Sequence, residues 1–227
     1  MKTITWLTPD GDPEWLPPIE QALDEPNGLL AAGGDLTPRR LIAAYRRGVF
    51  PWFAAGQPIL WWAPDPRAVL VPAEFRCSRS LAKTMRNRGF ELVVNRAFEA
   101  VIAACAAPRD GHFGTWITPE MQSAYTELHR QGFAHSIETW LDGALVGGLY
   151  GLRLGGIFFG ESMFSHERDA SKAALAHLVS LSVRGGIALI DCQLASRHLA
   201  SLGSRGIPRA RFQALLREHV STAPLPL

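Results

Sequence analysis

Residues 134–164 read AHSIETWLDGALVGGLYGLRLGGIFFGESMF, and the reading of this stretch decides the fold. Asp142-Gly143 is a two-residue hairpin signal, because the tightest hairpin turns need positive φ at both central positions and Asp and Gly tolerate it. Gly155-Gly156 marks a second turn. The runs they separate, Ala134 to Leu141, Ala144 to Leu152 and Ile157 to Phe164, are apolar and aromatic, which predicts three consecutive antiparallel strands. Downstream, Asp169 to Val183 carries apolar residues at helical spacing, and Gly185-Gly186 ends that helix. Ile187 to Cys192 reads as a short apolar strand, and helices over Arg197 to Leu202 and Arg209 to His219 follow. Upstream, strands are expected at Ala68 to Val71 and Glu91 to Asn95. Helices are expected at Ser80 to Arg88, at Ala97 to Ala106 and from the Thr118 cap to Gln131. The layout is α+β, with a mostly antiparallel mixed sheet flanked by helices. Its strand order is also that of acyl-CoA N-acetyltransferases, an analogy of pattern alone.

The N-terminal part differs. Trp6 to Pro26 is proline-rich and acidic and reads as irregular, and Asn27-Gly28 and Gly33-Gly34 are turns. Thr37 caps a helix with Pro38 at its first position, and Gly48 ends it. The aromatic loop Phe50-Pro-Trp-Phe53 and Trp61-Trp62 follow. Pro64 and Pro66 place a boundary near residue 63, which gives a small domain over 1–63 and a larger one over 64–227. Residues 221–227 read as a loose tail.

Composition narrows the class. The chain has 227 residues, 47% of them hydrophobic, enough for a sizeable core. No apolar run is long enough to span a bilayer, and no secretory signal is legible. Cys77, Cys105 and Cys192 are odd in number and far apart, so neither a disulfide framework nor a metal site is expected, and a reducing cytoplasm is the simplest compartment. The net charge of +2 hides an asymmetry: residues 1–35 hold seven acids and one base, and residues 36–96 hold eleven bases and three acids. A basic stripe among aromatics suits a phosphate-bearing partner, and equally a solvated surface.

Three polar residues border apolar strands. Asp191 and Gln193 follow Ile187-Ala-Leu-Ile190 and, two apart on a strand, point the same way. Together they would project into a cleft, or else cap the next helix or tie down a loop. Glu161, after Ile157-Phe-Phe159, is a charge that needs a partner or a cleft. It is read either as half of a salt bridge or, with Asp191, as a site for a cation. Trp52, Trp61, Trp62 and Trp116 are candidate base-stacking rings or ordinary core. Cys192 should face away from Asp191. No nucleophile elbow, Walker loop or paired histidine spacing is present. A direct attack by an amine on an activated ester needs none of these.

Taken in order, several segments resemble the bacterial leucyl/phenylalanyl-tRNA–protein transferase family. They are Asn27-Gly-Leu-Leu-Ala31 through Gly33-Gly-Asp-Leu36, Arg47-Gly-Val-Phe-Pro-Trp-Phe53, Ile59-Leu-Trp-Trp62 with Pro64-Asp-Pro-Arg67, and Gly114-Thr-Trp-Ile-Thr118. His135-Ser-Ile-Glu138, Leu145-Val-Gly-Gly-Leu-Tyr-Gly151, Gly160-Glu-Ser-Met-Phe-Ser165, Asp169-Ala-Ser-Lys-Ala-Ala-Leu175, Leu189-Ile-Asp-Cys-Gln193 and Ala200-Ser-Leu-Gly203 complete the set. They cover about residues 27–212. His112-Phe113 depart from the acidic or polar pattern expected before Gly114. The resemblance implies a C-terminal acetyltransferase-like (GNAT-like) domain. It also implies transfer of Leu, Phe or Met from aminoacyl-tRNA to an acceptor protein beginning with Arg or Lys, marking it for N-degron degradation; no cofactor is expected, and the oligomeric state is open with monomer the default. It makes Asp191, Gln193 and Glu161 the catalytic group and gives Trp52 and Trp116 the 3′-terminal adenosine. Leu149, Phe158, Met163, Leu175, Leu178 and Ile190 would form the pocket for the transferred side chain. On this reading Asp191→Ala or Gln193→Ala removes transfer without unfolding the chain. An acyl-CoA N-acetyltransferase and a non-catalytic tRNA-binding module are the two rival readings.

Overall fold

A computed structural model describes residues 2–108, 116–221 and 223–227. His112, Phe113 and the start of the Gly114 segment lie outside the described residues. The N-terminal part forms a four-stranded sheet where irregular chain was expected. Its strands are β1 (Thr5–Leu7), β2 (Leu29–Gly33), β3 (Phe50–Pro51) and β4 (Leu60–Trp62), in the order β1-β2-β4-β3. These strands are two to five residues long. That is too short for alternation to be read, so tertiary pairing defines them. Helix α1 (Pro38–Arg46) has the expected cap, with the Thr37 hydroxyl accepting from the Arg40 N–H and Pro38 at the first position.

The second sheet has seven strands. After β5 (Arg67–Leu70) come α2 (Arg79–Asn87), β6 (Glu91–Val94), α3 (Phe98–Ala106), α4 (Pro119–Arg130), β7 (Ala134–Leu141), β8 (Ala144–Leu154) and β9 (Ile157–Ser165). Then follow α5 (Ala170–Gly185), β10 (Leu189–Gln193), α6 (Arg197–Ser201), β11 (Arg205–Ile207) and α7 (Arg209–His219). The order is β11-β5-β10-β9-β8-β7-β6. Every neighbouring pair is antiparallel except β9–β10, so the expected mixed sheet is observed. Asp142 (φ 50°) and Gly143 (φ 78°) make the predicted hairpin turn.

Each face of this sheet carries its own apolar cluster. On one, α3 and α4 pack with Phe98, Val101, Tyr125 and Leu128 against Tyr150, Leu152 and Phe159, and the cluster continues into Tyr45, Phe50 and Trp61 of the N-terminal part. On the other, α5 packs Leu175, Leu178 and Val179 against Leu149, Phe158 and Ile190. Gly147 lets the start of α5 come close to β8, and Gly151 lets β9 do so. A Cβ at Gly147 would stand 2.5 Å from the Cβ of Ala170, and one at Gly151 would collide with the Phe159 carbonyl oxygen. This is why that strand is glycine-rich without being a phosphate loop. The expected loose tail is tied down: the buried Arg153 donates to the Pro226 carbonyl, and Leu227 packs against the α5-side cluster. No helix among the described residues is long and apolar enough to cross a membrane.

Candidate active site

The site forms where β9 and β10 part. Their parallel ladder pairs Leu189 to Asp191 with Ile157 to Phe159 and goes no further. Beyond it β9 continues beside β8 through a bulge, and β10 ends in Gln193, whose φ of 61° turns the chain. A side-chain bond closes the gap, the Gln193 Nε2 donating to Glu161 Oε1 at 2.9 Å. Alternation along β10 then sorts its residues. Ile190 and Cys192 join the apolar cluster under α5, while Asp191 and Gln193 make polar contacts with Arg67 and Glu161. Cys192 therefore faces away from Asp191, as the strand period requires. Burial pushes its thiol up to about 12, so it supplies no thiolate near neutral pH.

Asp191 is fully buried and meets Arg67, also buried, through two bonds. Arg67 Nε donates to Oδ1 at 2.8 Å and Nη2 to Oδ2 at 2.6 Å. The third arm of Arg67 reaches the Gly48 carbonyl at 3.0 Å, and its guanidinium lies 4.7 Å from the ring centre of Phe50 and 4.8 Å from that of Phe212. A bidentate, stacked guanidinium of this kind fixes a carboxylate in place. Asp191 Oδ1 also accepts from the Gln193 backbone N–H at 3.0 Å. Asp191 thus holds the turn that carries Gln193. Arg67 and that backbone N–H occupy the Asp191 carboxylate, and the Gln193 carboxamide bonds Glu161 instead.

Glu161 is also buried, and among the described residues it is in no ion pair. Its Oε1 accepts from the Tyr45 hydroxyl at 2.7 Å as well as from Gln193, and its Oε2 accepts from the Tyr125 hydroxyl at 3.0 Å. The two tyrosine oxygens stand 2.5 Å apart. Burial raises the Glu161 carboxyl to about 7; the tyrosine hydrogen bonds pull the other way, and the charge on Asp191 adds to the rise. Both tyrosines are held well above their usual range, first by burial and then by the Glu161 charge. The salt-bridge reading of Glu161 is therefore not what the structure contains.

The six residues Leu149, Phe158, Met163, Leu175, Leu178 and Ile190 line one cavity of about 120 Å³ together with Gly160, Glu161, Asp191, Cys192 and Leu199. That is close to the roughly 150 Å³ of an apolar cavity able to hold benzene. Gln193 does not line this cavity; its carboxamide bonds Glu161, which does. Trp52 is 40% exposed and packs edge-on to Trp62, with ring centres 5.6 Å apart. Trp116 is half-buried against the larger apolar cluster, and Trp61 is fully buried core. None of these three lines the cavity. Among the described residues no His, Cys, Asp and Glu cluster could hold a metal ion. The start of α5 has already used its first amides, the Ala170 N–H on the Glu167 carbonyl and the Ser171 N–H on the Ser165 hydroxyl.

Reading the sequence missed Tyr45, Tyr125 and Arg67 as site residues. Arg67 could have been noticed as a lone cation entering an apolar strand, while the two tyrosines sit in helices with nothing local to mark them. The expected basic stripe divides: Arg40, Arg47 and Arg67 are built into the framework, and the remaining bases are at the surface, Arg39, Arg88 and Arg96 among them in exposed ion pairs. Arg40, Arg67, Arg88 and Arg96 are in ion pairs and Arg47 holds the Leu16 and Pro17 carbonyls. Arg46, Arg76, Arg79, Lys83 and Arg86 stand at least partly exposed.

Comparison with known proteins follows the same residues. The family profile described as leucyl/phenylalanyl-tRNA protein transferase matches residues 69–217, and the profile of its N-terminal domain matches residues 34–65. A leucyl/phenylalanyl-tRNA–protein transferase from Aromatoleum aromaticum is 57% identical over 98% of this chain and 93% of its own length. One from Azotobacter vinelandii is 60% identical over 90% of each. A looser likeness is to a solved GCN5-related N-acetyltransferase from Kribbella flavida, at 12% identity and a TM-score of 0.41, covering 78% of this chain and 63% of that one. From the long, high-identity matches it follows that this chain belongs to the leucyl/phenylalanyl-tRNA–protein transferase family.

Proposed function

We propose that this chain moves a leucyl, phenylalanyl or methionyl group from its tRNA onto the N-terminal Arg or Lys of an acceptor protein in the cytoplasm, marking the acceptor for N-degron degradation. The observation that carries the proposal is the arrangement of Gln193. Its backbone N–H is held by Asp191 and its carboxamide Nε2 by Glu161, which leaves Oε1 as the acceptor for an incoming amine. The acceptor's unprotonated α-amine donates one N–H to that oxygen and directs its lone pair at the ester carbonyl. A C–N bond forms, the C–O bond to the terminal ribose breaks, and one proton of the amine passes to the ribose oxygen, so that the tRNA leaves with its hydroxyl restored. The ester is already activated, so positioning is most of the task. An α-amine with a reference pKa of roughly 7.7–8.0 is partly neutral at the working pH.

Glu161, when ionised, adds the negative charge that draws the acceptor's cationic end. The apolar cavity under α5 suits a side chain unbranched at Cβ, and Met163 gives it adaptability. The exposed ring of Trp52, with Trp116, stacks on the 3′-terminal adenosine, a contact contributing roughly 1–3 kcal/mol. Arg46, Arg76, Arg79, Lys83 and Arg86 meet tRNA phosphates without reading sequence.

The test is radiolabelled leucyl-tRNA offered to one protein beginning with Arg and to the same protein beginning with Ala. Label is expected on the first alone. Binding of charged and uncharged tRNA with equal affinity and no transfer to either protein would instead make the chain a binding module.

A further inference from the structure

Three of the large apolar side chains that stand exposed among the described residues gather at one edge of the small sheet. Ile4 is 37% exposed, Trp6 69% and Trp15 52%. Trp6 is the central residue of β1, and β1 is an edge strand whose partner in the sheet is β2. Trp6 and Trp15 face a groove of about 170 Å³ that also takes in Leu7, Thr8, Gly11, Asp12 and Arg40, the last with its charge met by Asp35. The groove is built in advance. Buried Arg40, neutralised by Asp35 at 3.0 Å, donates to the Thr8 and Gly11 carbonyls and so pins the loop that forms the wall. Asp12 accepts from the Glu14 N–H at 2.9 Å, and the Trp15 N–H bonds the Asp12 carbonyl at 3.1 Å, which sets the second indole. None of these residues lines the cavity under α5.

The chain around the groove is rich in acids: Asp12 lines it, and Asp10 and Glu14 flank Asp12 in sequence. Glu14 is paired with Arg39, while Asp10 and Asp12 are exposed and in no ion pair among the described residues. They belong to the segment 1–35, with its seven acids and one base. A polyanion is repelled from this pole. An exposed edge strand offers its free backbone groups to a further strand. Indole faces attract ammonium and guanidinium groups, and nearby carboxylates add to that attraction.

We propose that the free edge of β1 and the Trp6–Trp15 groove dock an extended, basic segment of a partner polypeptide. The segment adds as a strand beside β1, and its Lys or Arg side chains lie over Trp6 and Trp15 with their charged ends toward Asp10 and Asp12. This site is separate from the transfer reaction and does not rest on it.

The test uses the full chain and an N-acetylated peptide of alternating Lys and Val, which has no α-amine and cannot serve as an acceptor. Binding is followed by tryptophan fluorescence and calorimetry. Saturable binding is expected, weakened roughly tenfold by Trp6→Ala with Trp15→Ala. It should also be weakened by Asp10→Asn with Asp12→Asn, with far-ultraviolet circular dichroism unchanged in both variants. Four results overturn the proposal: no binding to the wild type, equal binding to the double-tryptophan variant, equal binding of a Glu-and-Val peptide, or self-association or vesicle binding that the double-tryptophan variant abolishes while the peptide does not bind.

Discussion

Asp191, at the end of β10, faces a guanidinium at 2.6 Å. Glu161, across the opening on β9, faces the hydroxyls of Tyr45 and Tyr125 and the carboxamide of Gln193. Both carboxyl groups are buried, and the same desolvation acts on each. A bidentate cation offsets that cost at Asp191 and keeps it a fixed part of the framework. Neutral donors offset only part of it at Glu161, whose carboxyl rises to about 7, so its charge responds to whatever enters the cleft near neutral pH. One carboxylate therefore sets the geometry of Gln193, and the other adjusts its electrostatics.

The strongest way to break this contrast is to take away the cation. Arg67→Met leaves Asp191 buried and unpaired and is expected to lower stability by about 3–5 kcal/mol in denaturant unfolding, with loss of transfer. The same reasoning revises the expectation that Asp191→Ala is neutral to folding, since it strands Arg67 instead. The double variant Arg67→Met with Asp191→Leu should regain most of the stability and none of the activity. If it regained both, Asp191 would have no part in holding Gln193.

The next effect is a pH dependence. The folded-state carboxyl of Glu161 is raised from 4.5 to about 7, so between those values the folded chain binds more protons than the unfolded one. Its contribution to stability is present below pH 4.5 and is lost as pH rises to about 7, a change of about 3 kcal/mol relative to Glu161→Gln. Parallel stability–pH curves for the wild type and Glu161→Gln would contradict the assignment. A smaller effect sharpens the same point. Tyr125→Phe removes one donor to the ionised form, so the acidic limb of the transfer pH profile should move upward, with a stability loss of about 1 kcal/mol. A profile that stays in place would mean that the charge on Glu161 does not govern the rate.

Much of the second sheet was legible because its signals are local. Asp142-Gly143, Gly155-Gly156 and the glycines after α5 punctuate runs long enough to show their period. Asp191, Gln193 and Glu161 were legible as polar residues beside apolar strands. Arg67 and Tyr45 were not, because their meaning lies in partners 124 and 116 residues away. The two-to-five-residue strands of the small sheet were hidden for a related reason: pairing, and not propensity, makes them strands. The polar part of the site was read as a pair, Asp191 and Gln193 projecting together into a cleft. The structure replaces this with a longer chain of contacts running from Arg67 through Asp191 and Gln193 to Glu161 and the two tyrosines.

The proposed transfer turns on the Gln193 carboxamide oxygen. The most direct measurement is the single-turnover rate of leucyl transfer from leucyl-tRNA to a peptide beginning with Arg, comparing the wild type with Gln193→Ala, which leaves Glu161 the hydroxyls of Tyr45 and Tyr125 as donors. The rate is expected to fall at least about a hundredfold, with the melting temperature nearly unchanged and charged-tRNA binding intact. A wild-type rate in the folded variant would contradict that role.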